Sequence, residues 1–356
     1  MAKKIGMGVI GLGGIANAVH IPGINNSPDA QLVAICDIDE KKLKERQAQY
    51  GIDDAHAFTD YRDLMSCPDV DAVDICTPND MHVPIAMEAA RRKLPFAVEK
   101  PLGINRAETE ELYELVKQNN VPNMICFSYR FKAAARYARD LIQQGKLGKI
   151  YHVYAKYLQA WSGPNCGMAW RFQKVHTGSG ALGDLGAHML DLVRFMTGED
   201  YVRVVADNGT FIHERKSNDP ANPDVMLPVD VDDYSHYFAT TESGIATSFE
   251  ISRFGYGRGN YQRVEVYGEK GALVYELERE DTLDICIGDV YKSQNLFTRT
   301  PIPWHYYTDQ MQTFMNIVNG RDNGNAAHIE DGHRNQILLD AILESGEQGK
   351  AIVISK

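Results

Sequence analysis

Apolar positions in the first third of the chain come in short runs, each closed by a glycine, a proline or a charged residue. Ile5 to Ile10, Gln31 to Cys36, Val70 to Cys76 and Pro95 to Val98 all read as strands with no polar face. Runs of that length, apolar throughout, suit strands buried on both sides of a sheet. Between and after them the spacing changes to a helical one, over Val83 to Arg92 and Arg106 to Asn119, and Val121 to Tyr129 reads as one more strand. Strands alternating with helices predict a doubly wound parallel sheet.

After residue 130 the pattern is different. Lys132 to Gly145 is helical, and Ile150 to Gln159 alternates like a half-buried strand. From Tyr234 to Leu277 short alternating runs are divided by Gly244 and by Gly268-Glu269-Lys270-Gly271, which suits antiparallel strands. Helices are expected over Asp184 to Thr197, Thr308 to Val318 and Ile329 to Ser345, and a last strand over Ala351 to Ile354. Residues 213–233 are polar, contain Pro220, Pro223 and Pro228, and read as a long surface loop. These patterns divide the chain into a nucleotide domain over 1–126 and a second α/β domain over 127–356.

Composition narrows the picture. The 356 residues fit two domains better than one, and 44% hydrophobic content is enough for real cores. A net charge of -11 argues against nucleic acid as a partner, because phosphate binding needs basic faces. No long apolar run follows Met1-Ala2-Lys3-Lys4, so no signal peptide is expected, and no run of about 18 apolar residues suggests a membrane span. The six cysteines form no C-x-x-C pair and suit neither a zinc site nor a disulfide framework. The expectation is a soluble, cytoplasmic protein that needs no metal.

Candidate chemistry gathers at the strand ends. Gly11-Leu12-Gly13-Gly14-Ile15-Ala16 follows the first strand and opens a helix, the G-x-G-x-x-A pattern of a dinucleotide loop. Gly11 permits the tight turn, Gly13 lets the backbone approach a pyrophosphate, and Ala16 lets the helix pack on its strand. Asp37 closes the second strand, where an acid accepts hydrogen bonds from the ribose hydroxyls and repels a 2′-phosphate; it also suits a helix cap. This favours NAD, with NADP as the alternative because Lys41, Lys42 and Lys44 follow. The Thr77-Pro78-Asn79 turn, with His82 just beyond, closes the third strand, where ligands bind in such sheets. Glu99-Lys100-Pro101 closes the fourth, and a lysine there is a candidate proton-transfer group beside a nicotinamide.

In the second half, Asp184, His188 and Asp191 fall at i, i+4 and i+7 beside the apolar stripe Leu185, Met189, Leu192, Val193 and Met196. A carboxylate one turn before a histidine orients it and raises its pKa, as a general base requires; a helix cap and a satisfied interface histidine would look the same. The loop Ala160 to Ala169 carries Trp161 and runs into Trp170-Arg171-Phe172. Indole faces pack on sugar C–H surfaces, and arginine clamps hydroxyls or phosphate.

Together these segments resemble the glucose-fructose oxidoreductase/inositol dehydrogenase/MocA (Gfo/Idh/MocA) family through nearly the whole chain. The resemblance rests on the Gly loop, the Thr77 to His82 segment, Glu99-Lys100-Pro101, and G-x-x-x-D-x-x-x-H at 180–188. It implies a Rossmann domain followed by an α/β domain with a large open sheet, and a homodimer or homotetramer assembled through that sheet. The helix over about 329–345 is expected to pack back toward the Rossmann domain. By resemblance Lys100, Asp184 and His188 are the catalytic set. Cofactor contacts fall to Gly11, Gly13, Gly14, Ile15, Ala16, Asp37, Thr77, Asn79, His82, Glu99, Lys100, Trp170 and Arg171. Tyr129, Arg130, Trp161 and Tyr306 join Lys100, Asp184 and His188 on the substrate side, and Lys100-Pro101 is expected to be a cis peptide.

The activity so implied is NAD-dependent oxidation of a secondary hydroxyl on a sugar, glycoside or inositol ring. His188 takes the hydroxyl proton and Lys100 stabilises the alkoxide. Oxidation at C3 of the glucose of a glycoside, and reduction of a keto-sugar, are alternatives with the same residues. A non-catalytic NAD(P)-sensing regulator is the alternative from another class; such proteins lose the catalytic lysine or histidine, which this chain keeps.

Overall fold

The short apolar runs of the N-terminal part pair side by side. The structure is a computed structural model and describes residues 3–279, 281–288 and 296–355. Strands β1 (Ile5–Ile10), β2 (Ala30–Cys36), β3 (Ala57–Phe58), β4 (Ala72–Ile75), β5 (Phe96–Val98) and β6 (Asn123–Ile125) form a six-stranded sheet in the order β3-β2-β1-β4-β5-β6. All its pairings are parallel. The residues of β1, β4 and β5 are buried throughout, as their unbroken apolar character requires. Helices Glu40–Tyr50, His82–Arg91 and Arg106–Asn119 make the crossovers. Asn105 accepts the Glu108 N–H and so fixes the start of the last of these. Strand order reverses between β1 and β4, which puts the loops after those strands at the crevice where such sheets bind ligands.

The chain divides into two compact units, one of residues 1–128 with 308–334, the other of residues 129–307 with 335–356. Residues 308–334 therefore group with the nucleotide domain, although in the chain they follow the second one. Helix Gln310–Val318 buries Met311, Phe314, Met315 and Ile317, and an added Cβ on Gly23 would stand 2.8 Å from Met311. Gln312 donates to Asp29 at 2.9 Å and accepts from Ser27 at 2.7 Å. Ala327 bridges Ile125 in antiparallel fashion, closing the open edge of β6.

The second unit is built on a nine-stranded sheet. Its strands are β7 (Ile150–Leu158), β8 (Tyr201–Gly209), β11 (Tyr234–Thr241), β12 (Ala246–Ser252), β13 (Tyr261–Gly268), β14 (Gly271–Glu276), β15 (Thr282–Ile287), β16 (Thr298–Pro301) and β17 (Ile352–Val353). The order is β16-β15-β14-β13-β7-β12-β11-β8-β17. It is mainly antiparallel, as the alternating runs suggest, but β12 lies parallel to β7. A small hairpin, β9 (Glu214–Lys216) with β10 (Met226–Pro228), stands apart from it.

Three expectations need correction. The strand expected over Val121 to Tyr129 pairs only at β6. The Phe127 and Ser128 N–H groups turn back to the carbonyls of Ile125 and Cys126, and Ser128–Phe131 forms a 3₁₀ turn that carries Tyr129 and Arg130. The helix expected from Asp184 opens instead as a π-helical turn, Leu182–Gly186, before the α-helix Ala187–Thr197. Residues 213–233 are not a plain surface loop: Arg215, Val229, Val231, Asp232 and Asp233 are buried, and the two valines form a small core with Met168 and Phe172. Among the described residues no helix is long and apolar enough to cross a membrane.

Candidate active site

The turn after β1 is shaped for a close anionic ligand. Gly11 has φ +88°, and a Cβ there would lie 2.7 Å from the Cys76 carbonyl oxygen, so no other residue fits without strain. At Gly13 and Gly14 an added Cβ would meet nothing within 4 Å, which leaves open space over the backbone, and Ile15 is exposed beside them. Ala16 is buried. Asp37 ties this loop to the end of β2: its carboxylate accepts the Leu12 N–H and the Asp39 N–H, each at 2.9 Å, with Lys42 Nζ at 3.3 Å. The cap of the following helix is Asp39, not Asp37. The open glycine surface and the acid at the end of β2 fit a dinucleotide with a free ribose 2′-hydroxyl.

Beyond β4 and β5 the side chains are buried and tightly paired. His82 sets its ring nitrogens at 2.8 Å from the carbonyl oxygens of Thr77 and Pro101, which ties the Thr77-Pro78-Asn79 turn to the Glu99-Lys100-Pro101 turn. Burial pushes its pKa down. Asn79 is buried in the short 3₁₀ turn Asn79–Met81. The Lys100-Pro101 peptide is cis, and Glu99 accepts the Lys100 N–H at 3.1 Å. His20, from the π-helical turn Ala16–His20, lies between two carboxylates: Nδ1 is 2.8 Å from Asp74 and Nε2 is 2.9 Å from Glu99. Among the described residues three groups bring metal-ligand atoms within 4.8 Å of one another. Two of them share His20, whose ring nitrogens are already engaged; the third is His56, Cys67 and Asp69.

In the second unit the candidate acid–base residues sit where the π turn meets the α-helix. Gly180 is pressed against Asp232, whose carbonyl oxygen would be 1.9 Å from an added Cβ. The Asp232 carboxylate accepts the N–H groups of Gly180 at 2.6 Å and Leu182 at 2.7 Å, so it caps the turn from outside. Asp184 accepts from Arg253 Nη2 at 3.2 Å, and the same guanidinium group donates to the carbonyls of Gly180 and Arg171. His188 is buried, with the Tyr129 ring edge-on at 4.6 Å and the Tyr157 ring at 6.2 Å. The two phenols share a 2.6 Å hydrogen bond, and Tyr157 donates to Asn260 at 2.6 Å. Burial raises the pKa of both tyrosines. Arg130 clamps Asp191 through two bonds, at 2.7 and 2.5 Å.

The sequence candidates fall into separate groups. Asp184, His188 and Tyr129 share one neighbourhood, and Trp161 joins it through Arg253, which lies 5.0 Å from the indole centroid. Arg171 lies 4.3 Å over Trp170. Tyr306 belongs to another group, donating to Asp140 at 2.7 Å and packing on Tyr137. Sequence reasoning missed Arg253, Asp232, Tyr157 and Asn260. Only the folding together of segments far apart in the chain brings these to residues 180–188 and Tyr129, and no spacing along the chain encodes that. His20, nine residues after Gly11, was missed although a histidine so close to a dinucleotide loop was there to be read.

A family model described as an oxidoreductase family with an NAD-binding Rossmann fold matches residues 5–127, and one described as a GFO/IDH/MocA C-terminal domain matches residues 135–274. The levoglucosan dehydrogenase of Pseudarthrobacter phenanthrenivorans is 34% identical over 261 residues, which span 70% of this chain and 66% of that protein. The myo-inositol 2-dehydrogenase of Thermotoga maritima is 26% identical over 355 residues, 98% of each chain. Among solved structures, a levoglucosan dehydrogenase in complex with NADH and L-sorbose aligns with a TM-score of 0.91 at 28% identity, covering 100% of both chains.

Proposed function

The chain belongs to the Gfo/Idh/MocA oxidoreductase family and is an NAD-dependent dehydrogenase acting on CH–OH groups, and within that class we propose that it oxidises a secondary hydroxyl of a sugar held in ring form. The observation that carries the sugar is Trp161. It is 39% exposed, and its inner side is backed by Phe172 at 5.5 Å and by the buried Arg253. An indole braced in this way offers a flat apolar platform to the C–H face of a pyranose. Arg253 also holds Asp184, so platform and acid–base helix are set by one side chain.

In this reading the acid–base set is Lys100, Asp184 and His188, as the family resemblance implies. Bound nicotinamide supplies the hydride acceptor. His188 takes the hydroxyl proton as the carbinol is oxidised. Asp184, fixed by Arg253, orients that histidine. The Lys100 ammonium stabilises the negative charge that develops on the substrate oxygen. Tyr129 packs edge-on against the His188 ring. A levoglucosan dehydrogenase at 34% identity supports a sugar or anhydro-sugar over a cyclitol. Inositol and glucoside dehydrogenases are also relatives, so oxidation of inositol and 3-oxidation of a glycoside are the competing readings.

The test is absorbance of reduced nicotinamide with NAD⁺ and a panel of levoglucosan, free pyranoses, aryl glucosides and inositols. Turnover highest on the pyranose or anhydro-sugar members is expected. Turnover confined to inositols would overturn the substrate assignment. NAD(H) binding without turnover on any member would favour a regulatory protein.

A further inference from the structure

Three buried ionisable side chains in the first unit take no part in the acid–base set above. His20, Asp74 and Glu99 come from the π-helical turn after the Gly loop, from β4, and from the end of β5. The His20 ring is fully buried and bonded to a carboxylate at each nitrogen, Asp74 at 2.8 Å and Glu99 at 2.9 Å. Glu99 uses its other oxygen to accept the Lys100 N–H at 3.1 Å. A neutral imidazole has one N–H to give, and a carboxylate can only accept. Two carboxylates on one ring therefore select the imidazolium. They also need it, because two buried carboxylates with no cation between them would each bear an unmet desolvation cost.

We propose that His20 is a positioning residue, held as the imidazolium from pH 6 to 8.5, that locks the Glu99 carboxylate against the Lys100 backbone and so fixes where Lys100 stands. This rests on Lys100 being part of the acid–base set. The chain of contact runs Asp74–His20–Glu99–Lys100, from a central strand to the signature lysine. The remaining ionisable neighbours are Cys76 and Cys126, both buried thiols that burial keeps protonated, with His82 and Lys100 acting on Glu99. The charges balance locally: two carboxylates, one imidazolium and one ammonium. The family's dinucleotide loop thus does a second task in this chain, because the π turn that follows it brings the cation to the Glu99 side. Inserted π turns of this kind often mark functional positions.

The first experiment is ¹⁵N NMR of the histidine rings in the full-length protein between pH 6 and 8.5. His20 should show both nitrogens protonated throughout, assigned by loss of its signals in His20→Gln or by their shift in Glu99→Gln if the former does not fold. A neutral His20 at pH 7 would overturn the proposal. The second is amide hydrogen exchange at Lys100, expected to be roughly tenfold faster in Glu99→Gln, because a charge-assisted acceptor is replaced by a weaker one. Unchanged exchange would count against the lock. The third is a double-mutant cycle. His20→Gln, or Glu99→Gln in its place, should lower kcat by roughly 10- to 100-fold in the Lys100 background, the scale of a misplaced catalytic group. It should lower residual turnover little in Lys100→Met. Equal losses in both backgrounds would reduce His20 to a structural role. Near-wild-type turnover in Lys100→Met would refute the assigned role of Lys100 instead, and the NMR and exchange results would then judge the lock alone.

Discussion

At the scale of single residues, the candidate chemistry depends on side chains whose partners hold them still. Asp184 is held by Arg253, Asp191 by Arg130, and Glu99 by His20. Lys100→Met and His188→Ala should each lower turnover by about 10²–10⁴, the usual worth of a positioned acid or base, while NAD⁺ binding measured by calorimetry survives. Turnover near wild type in both variants would remove them from the mechanism. His20 also makes a pH prediction. Burial pushes its pKa down, but Asp74 and Cys76 together outweigh that and leave it well above the ordinary 6.5. A group whose folded pKa is raised contributes stability that is fully present below its unfolded pKa, about 6.5, and is lost as pH climbs through the folded value. The midpoint of urea unfolding should therefore fall on the alkaline side of pH 6.5 more in wild type than in His20→Gln. Parallel pH curves would contradict it.

At the scale of elements, the turn that carries Asp184 and His188 is fastened from outside the helix. Leu182–Gly186 has no side-chain cap of its own, and Asp232 satisfies the Gly180 and Leu182 N–H groups instead. Asp232→Ala would leave two buried donors without acceptors, at about 1–3 kcal/mol each before relaxation. The thermal midpoint should drop by several degrees, and the KM for substrate should rise, because Asp184 and His188 stand on the loosened turn. A midpoint within 1 °C or so of wild type would show that the cap is dispensable. The hairpin of β9 and β10 fastens the neighbouring loop in the same way. Arg215, buried within it, donates to the carbonyls of Ser162, Gly163 and Cys166 and lies 3.9 Å over Phe172. The segment that reads as a polar surface loop is thus the support of the Trp161 loop. Its prolines and charges gave no sign of this, because burial of one arginine depends on where distant carbonyls fall.

At the scale of the whole molecule, the nine-stranded sheet leaves a row of side chains uncovered. Tyr154 on β7, Ser248 on β12 and Phe238 on β11 stand in register across three strands, and Phe238 is 69% exposed. Two exposed aromatic side chains flanking a serine on an open sheet face offer a surface for self-association. A homodimer or homotetramer formed through this face is accordingly expected. Phe238→Glu should shift the mass measured by light scattering toward the monomer, with the helical and strand signals of circular dichroism retained. An unchanged oligomer would exclude this face.

By itself the sequence determined what depends on neighbours along the chain. The parallel sheet and its crossover helices follow from unbroken apolar runs alternating with 3.6-residue periods. Helix Arg106–Asn119 begins and ends where its pattern does, because Asn105 and Asn120 mark its ends locally. The dinucleotide loop was legible for the same reason: the backbone demands on Gly11, Gly13 and Ala16 arise within six residues. Tertiary structure decided what depends on residues far apart. It joined residues 308–334 to the first unit, since an apolar helix face can be covered by any apolar surface and its pattern does not name which. It turned the expected helix start at Asp184 into a π turn fastened by Asp232, put Arg253 on Asp184, and set His20 between two carboxylates. A buried charge is stable only beside its counter-charge, and the chain alone does not say which distant strand will bring one.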